Sequence, residues 1–292
     1  MTTIGIIGGS GLYNLEQLQS VREIQIDTPF GATSDKLVAG TLDGVEVVFI
    51  PRHGKGHTLL PSEVPYHANI FALKTLGVSW VISASAVGSM KQEISPGHIV
   101  IPDQYIDRTS GRRQSFFGNG IVGHVSMADP VCPILSNVLH TSVKECDIPV
   151  HHGGTYICME GPAFSSRAES KMYRGWGVDV IGMTALPEAK LAREAELRYA
   201  TLALSTDYDC WHEEEDNVSV EAVVALLKQN TENVQRAILK AIPKLHQLSN
   251  DPSLKSPADS ALEHAIMTDP ALIPKSIKRD LRPLLKKYIP VT

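Results

Sequence analysis

Apolar positions recur along this chain in two alternating rhythms. Short, mostly aliphatic runs fall at residues 3–7 (TIGII), 44–50 (GVEVVFI), 80–84 (WVISA), 98–102, 154–159 (GTYICM), 178–183 and 197–206. Runs of that length with few charges predict strands buried on both faces. Between them, residues 66–76 (YHANIFALKTL), 129–146, 165–175, 185–197 and 219–241 space their apolar residues as helices do. Their boundaries fit: Gly77 closes the first, Asp129-Pro130 opens the second, and Ser165 with Glu169 begins the third. Pro187 sits in the first turn of the fourth, and Pro243 is the expected stop of the longest. Strands alternating with helices predict an α/β protein with helices on both faces of a sheet. A Pro/Ser/Asp-rich break at 250–260 (NDPSLKSPADS) divides a domain over 1–249 from a linker and basic helical tail over 250–292. A terminal helix of that kind is expected to dock on its own fold.

At 292 residues, 43% apolar and 20% charged, the chain has an ordinary globular composition and room for one large domain or two small ones. A net charge of −5 argues against a general nucleic-acid binder, which shows a basic face. Four scattered cysteines without C-x-x-C spacing read as reduced thiols rather than a disulfide framework. The first residues, MTTIGIIGGSG, lack the basic and long apolar regions of a signal peptide. No apolar run approaches the ~20 residues that span a bilayer. The expectation is a soluble protein of the cytoplasm, and of the nucleus too in a eukaryote.

The candidate chemistry sits where strands end. The run at 203–211, ALSTDYDCW, stops at Asp207 and Asp209. Side chains two apart on an extended segment point the same way, so the pair can face one ligand at the mouth of a sheet. A polar loop capping a strand is the other reading. Gly8-Gly9-Ser10-Gly11 after the first strand either aims backbone N–H groups at an anion or makes a tight turn. It lacks the G-x-G-x-x-G spacing of a dinucleotide site. Arg52-His53-Gly54 ends the second strand, and a guanidinium there suits an anion. The small residues 83–89 (SASAVGS) give access to backbone and hydroxyl groups, whereas loop 107–119 is too long and polar for core. His53 and His57 stand at H-x-x-x-H spacing, but Gly54 and Gly56 argue for a loop, and no further zinc ligand follows.

Nine segments in chain order then carry a resemblance over residues 4–245. They are IIGGSGL, TPFG (28–31), RHGKGHT (52–58), SASAVGS, PDQYIDRT (102–109), SMADP (126–130), EGPAFSSRAES (160–170), GMTALPEA (182–189) and TDYDCW. Together they resemble the methylthioadenosine-cleaving branch of the trimeric purine nucleoside phosphorylases. That resemblance implies a single-domain nucleoside phosphorylase fold, a mixed twisted sheet distorted toward a barrel and flanked by helices. It implies phosphorolysis of methylthioadenosine in methionine and purine salvage, with phosphate as co-substrate, no cofactor and no metal. Phosphate is then held by Ser10, Arg52, His53, Ser85, the Ala86 backbone and Thr184. Met183 packs on the ribose and Phe164 stacks near the base. Asp207 supplies a proton at purine N7 while Asp209 assists at the six-position amine. The 5′ pocket draws on His57, Ser165, Val220, Val223 and Val224, although valines so spaced also suit plain core. His124 is lent by a neighbouring subunit of a homotrimer.

The alternatives are phosphorolysis of 6-oxopurine nucleosides or methylthioinosine, and a catalytically silent nucleoside binder. Asp207 speaks against the first, because users of 6-oxopurines typically carry Asn at that position. The full phosphate set speaks against the second. The departures from the pattern are Ser10 for a common Thr, Ala163 for a common Arg, and the tail.

Overall fold

The computed structural model describes residues 2–9, 11–12, 15–212 and 220–290. The chain opens with β1 (Thr3–Gly8), followed by β2 (Gln19–Ile24), β3 (Leu37–Leu42) and β4 (Val45–Pro51). Next come α1 (Tyr66–Thr75), β5 (Trp80–Ser89), β6 (Ile99–Ile101), β7 (Gln104–Arg108) and α2 (Pro133–Lys144). β8 (Val150–His152), β9 (Thr155–Met159), α3 (Arg167–Gly175), β10 (Val180–Gly182) and α4 (Glu188–Glu194) follow. The last strand is β11 (Arg198–Asp207), and α5 (Val220–Ser249), α6 (Lys275–Asp280) and α7 (Arg282–Leu285) complete the chain.

These strands form one mixed sheet that branches at β5. One edge of β5 pairs parallel with β1 over residues 80–83 and then antiparallel with β10 at Gly88 and Ser89. Between those partners, residues 84–87 have no strand neighbour on that edge among the described residues. The other edge follows β11 in parallel throughout. The partner change therefore opens a gap in the sheet, and the cavity described below lies against it.

Alternation along the strands divides the core between two faces. Ile4, Ile6, Val47, Phe49 and Ile82 pack with Leu135 and Leu139 of α2 and Ile238 and Leu245 of α5. Ile7, Val48, Ile50 and Val81 pack on the opposite side with Phe71 of α1 and Ala189 of α4. The α/β expectation is met, with a mixed central sheet and helices on both faces.

Several local expectations change. β2 has no apolar rhythm because it is an edge strand whose residues are largely exposed. The strand predicted at 80–84 continues through SASAVGS to the end of β5 at Ser89. α3 starts two residues later than the predicted 165–175, with Ser166 as cap in a reciprocal capping box with Glu169. α5 runs through Pro243 instead of stopping there. Ala241, Ile242 and Leu245 are fully buried on either side of that proline, and their packing outweighs one missing helix hydrogen bond. Loop 107–119 is not all surface: Phe116 and Phe117 are core residues and the Arg112 side chain is only 3% exposed. In the tail, Leu262, Ile273, Leu284 and Leu285 join the cluster that contains Ile7 and Phe71. Asp259 receives two hydrogen bonds of 2.7 Å from Arg198.

Candidate active site

A cavity of about 460 Å³ opens past the carboxyl ends of β1, β4, β5 and β11. Its walls bring together Arg52, His53, His57, Ser85, Ala86, Phe164, Met183, Thr184, Asp207 and Asp209, residues spread over most of the chain. The volume is of the size that encloses a small molecule.

Arg52 stands at one end, 2% exposed. Its Nε and Nη2 donate to the two carboxylate oxygens of Glu188 at 2.7 and 2.9 Å. Nη2 also donates to Ser83 Oγ at 2.7 Å, and Nη1 to the Ala84 carbonyl at 2.8 Å. Four of the five guanidinium N–H groups are thus committed, leaving one at Nη1. Burial pulls the Arg52 pKa down, but Glu188 more than reverses it, so the group is charged. Arg52 is half of a buried ion pair with Glu188, so the two together present little net charge. Glu188 also accepts from Ser83 Oγ and Tyr199 Oη, at 2.7 and 2.9 Å. The motif GMTALPEA contained Glu188, yet nothing in its spacing separates it from an ordinary first-turn acid.

Next to Arg52, His53 Nδ1 is 2.9 Å from the Leu59 carbonyl. A carbonyl only accepts, so Nδ1 carries the proton and Nε2 is bare when the ring is neutral. Burial lowers its pKa to about 4, so the ring is neutral near pH 7. Neutral His53 accepts at Nε2 rather than donates, which suits the P–OH of a monohydrogen phosphate. The Ser85 hydroxyl is buried beside Tyr156 Oη, and neither finds a partner in good hydrogen-bond geometry among the described residues. Buried hydroxyls ordinarily have one. Thr184 lines the same end. Ser10 lies outside the described residues.

Asp207 and Asp209 line the same cavity, Asp207 paired with Gly88, four residues further along β5 than the Ala84 carbonyl that holds Arg52. The pleat does not align them, as the sequence suggested: β11 ends at Asp207, and Asp209 lies beyond in a turn at φ 53°. The turn brings Asp209 N within 2.8 Å of Asp207 Oδ1. An irregularity in the β11–β5 register between Ser205 and Asp207 turns the carboxylate toward the cavity. Thr206 Oγ1 donates to its other oxygen at 2.7 Å. A Cβ on Gly88 would stand 2.9 Å from Asp207 Oδ1, so the carboxylate needs glycine there. Burial raises the Asp207 pKa, against hydrogen bonds from Thr206 and the Asp209 backbone, and the Asp209 charge adds to the rise.

Ser165 is placed differently from its expected 5′ pocket. Its hydroxyl lies 2.7 and 2.8 Å from the two oxygens of Asp209, and it is absent from the cavity wall. It orients Asp209 from behind. A hydrogen bond to a charged group contributes about 1.5–3 kcal/mol. Ser165→Ala is therefore expected to weaken nucleoside binding by about ten- to a hundredfold while leaving the KM for phosphate near its original value. Steady-state kinetics with each substrate varied in turn measures this.

Met183 borders the middle of the cavity and Phe164, 48% exposed, its mouth. Gly161 makes room for Met183: at φ +69° it has no Cβ, which would otherwise meet the Met183 sulfur at 2.5 Å. His57 stacks on His53 with ring centroids 4.2 Å apart. Val220, Val223 and Val224 belong to the first turns of α5, but their side chains lie outside the described residues. Further along α5, Thr231 reaches the cavity, a contact without any signal in the sequence. His124 lines a separate cleft with Asp129, Arg193 and His264. No group of three or more potential metal ligands is gathered among the described residues.

A sheet that opens at a strand-partner change over a cavity gathering a buried arginine, a neutral histidine and paired carboxylates fits a nucleoside-cleaving phosphorylase. The chain belongs to the phosphorylase superfamily, whose family model matches residues 3–243. It is 57% identical over 287 residues to the S-methyl-5′-thioadenosine phosphorylase of Geobacter sulfurreducens, covering 98% of this chain and 99% of that one. It is 52% identical over 289 residues to the enzyme of the same name from Thermosynechococcus vestitus, again covering 98% and 99%. Among solved structures, a methylthioadenosine phosphorylase from an antarctic soil metagenomic library superposes with a TM-score of 0.92 at 49% identity, covering 97% of this chain and 99% of that chain. The Schistosoma mansoni methylthioadenosine phosphorylase in complex with adenine does so at 0.82 and 32%, covering 98% of each.

Proposed function

We propose that this protein cleaves S-methyl-5′-thioadenosine with inorganic phosphate, giving adenine and 5-methylthioribose 1-phosphate. The observation that carries the reading is the juxtaposition, in one cavity, of the Arg52–His53–Ser85–Thr184 end with Asp207 and Asp209. Phosphate bound at the first end lies under the sugar, and one of its oxygens attacks the anomeric carbon as the bond to N9 breaks. The Ser85 hydroxyl, the remaining Arg52 N–H and the open edge of β5 at Ala86 supply donors, and Ser10 is read as another. His53 Nε2 receives the phosphate proton as a hydrogen bond. Holding both reactants in line turns a bimolecular encounter into a unimolecular step.

Purine is a poor leaving group as an anion. Asp207, with its raised pKa, donates a proton to N7 as electrons flow into the ring. Asp209 accepts a hydrogen bond from the six-position amine, oriented by Ser165. A carboxylate suits an amine and not a carbonyl, so adenine is favoured over 6-oxopurines. Met183 packs on the ribose and Phe164 on the base. His57, Val220, Val223 and Val224 are read as the surroundings of the methylthio group. His124, away from its own chain's cavity, completes the 5′ end of a neighbour's site in a homotrimer. The buried tail side chains support reading residues 250–292 as part of the same folding unit. The reaction needs no cofactor or metal, and its place is methionine and purine salvage in the cytoplasm.

The test is adenine release from methylthioadenosine with and without phosphate, with inosine in parallel. Phosphate-dependent adenine release and none of hypoxanthine from inosine is the expected result. Turnover of inosine instead would overturn the roles given to Asp207 and Asp209.

A further inference from the structure

Behind the cavity, outside its wall, a single buried cation joins both of its ends. Arg112 comes from the loop after β7, and its side chain is 3% exposed. Nη1 is 2.8 Å from the Met183 carbonyl and 2.8 Å from the Leu186 carbonyl. These two peptides bracket Thr184, at the phosphate end. Nη2 donates to the Glu160 carbonyl at 2.7 Å, at the start of the turn that carries Phe164 and Ser165 to the purine end. Nε pairs with the Glu160 carboxylate at 3.1 Å, and Nη1 also reaches Tyr66 Oη at 3.2 Å. Tyr66 in turn donates to the carbonyl of Pro61, a cavity residue. The contacts to the two loops are to main-chain oxygens, so they fix where the peptides lie whatever side chains they bear.

We propose that Arg112 is a positioning residue: one guanidinium ties segment 160–165 to segment 183–186 and so sets the distance between purine and phosphate. The inference rests on the phosphorolytic reading for its kinetic test, though not for its geometry. A planar fork with donors on three nitrogens spans acceptors from two loops; an ammonium with donors at one point does not. Displacements of about 1 Å at reacting groups reduce turnover by as much as 10²-fold. Loosening both loops together therefore degrades alignment at both ends of the substrate pair.

The experiment compares wild type, Arg112→Lys, Arg112→Ala and Glu160→Gln. It follows KM for each substrate, kcat, thermal midpoint, and amide exchange over 159–165 and 182–187. Arg112→Lys is expected to lose at least tenfold in kcat/KM for both nucleoside and phosphate, with its midpoint within a few degrees of wild type and faster exchange in both segments. Arg112→Ala is expected to regain activity when guanidinium is added well below its midpoint. Glu160→Gln keeps the carbonyl contacts and should stay within about threefold of wild type. Wild-type kinetics for Arg112→Lys, or an Arg112→Ala loss that follows its midpoint and ignores guanidinium, would overturn the proposal. A Glu160→Gln loss as large as that of Arg112→Lys would also overturn it, assigning the effect to the ion pair. Should the wild type release no adenine, the functional reading fails; the clamp is then decided by exchange alone, and unchanged exchange in either segment ends it.

Discussion

Asp207→Asn is expected to lower kcat for methylthioadenosine by about 10²–10⁴-fold, the range by which a positioned general acid contributes. Asparagine keeps the shape and can accept from one of Thr206 and Asp209 N, which bond to different oxygens of Asp207, but it has no acidic proton to give at N7. The pH dependence separates this from simple loss of binding. An acid works only while protonated, so kcat falls as pH rises through the Asp207 pKa. Burial, with the Asp209 charge adding to it, moves that fall to higher pH than an exposed aspartate would show. In Asp207→Asn this limb should vanish and leave a flat, low profile. An unchanged limb would assign the proton to another donor.

The second large effect concerns the buried pair at the other end. Arg52→Met should destabilise the protein by about 3–5 kcal/mol, because it leaves Glu188 charged and without its cation in a water-excluded site. Glu188→Leu should do the same to Arg52. The double variant is expected to recover much of that loss, since removing both charges avoids the uncompensated one. Urea denaturation of the three variants gives the coupling directly. Phosphate use should not recover with stability: the double variant lacks the Nη1 donor, and its KM for phosphate should stay raised by tenfold or more. If phosphate use returned together with stability, Arg52 would be scaffolding alone.

Much of this layout was legible in the chain because its strands are buried on both faces. Runs such as TIGII and GVEVVFI announce themselves, and glycine, arginine or aspartate at their ends marks where they stop. Ten of the residues that the resemblance named line one cavity. What stayed hidden depends on partners distant in sequence. Glu188 matters only because Arg52 lies 136 residues away in the chain and 2.7 Å away in space. Loop 107–119 looked polar because arginines dominate it, yet Arg112 is satisfied by carbonyls and needs no water. The Asp207–Asp209 pair was found for a reason that proved incomplete, since a left-handed turn and not the pleat brings the two together. Pro243 failed as a stop because local preference yields to a helix face packed on a sheet.

The exchange of partners along β5 has a consequence for how the site is inherited. At residues 84–87 the peptide edge is left open by the route of the chain, and on the proposed reading phosphate takes the position that a strand would occupy. What recognises the anion there is a register. Ala86 takes part through its backbone, and the register holds only so long as β1 and β10 end where they do. A shift of one residue in either pairing would close or misalign the edge without altering any residue in the cavity. Comparisons that weigh side-chain identity alone would pass over this part of the site.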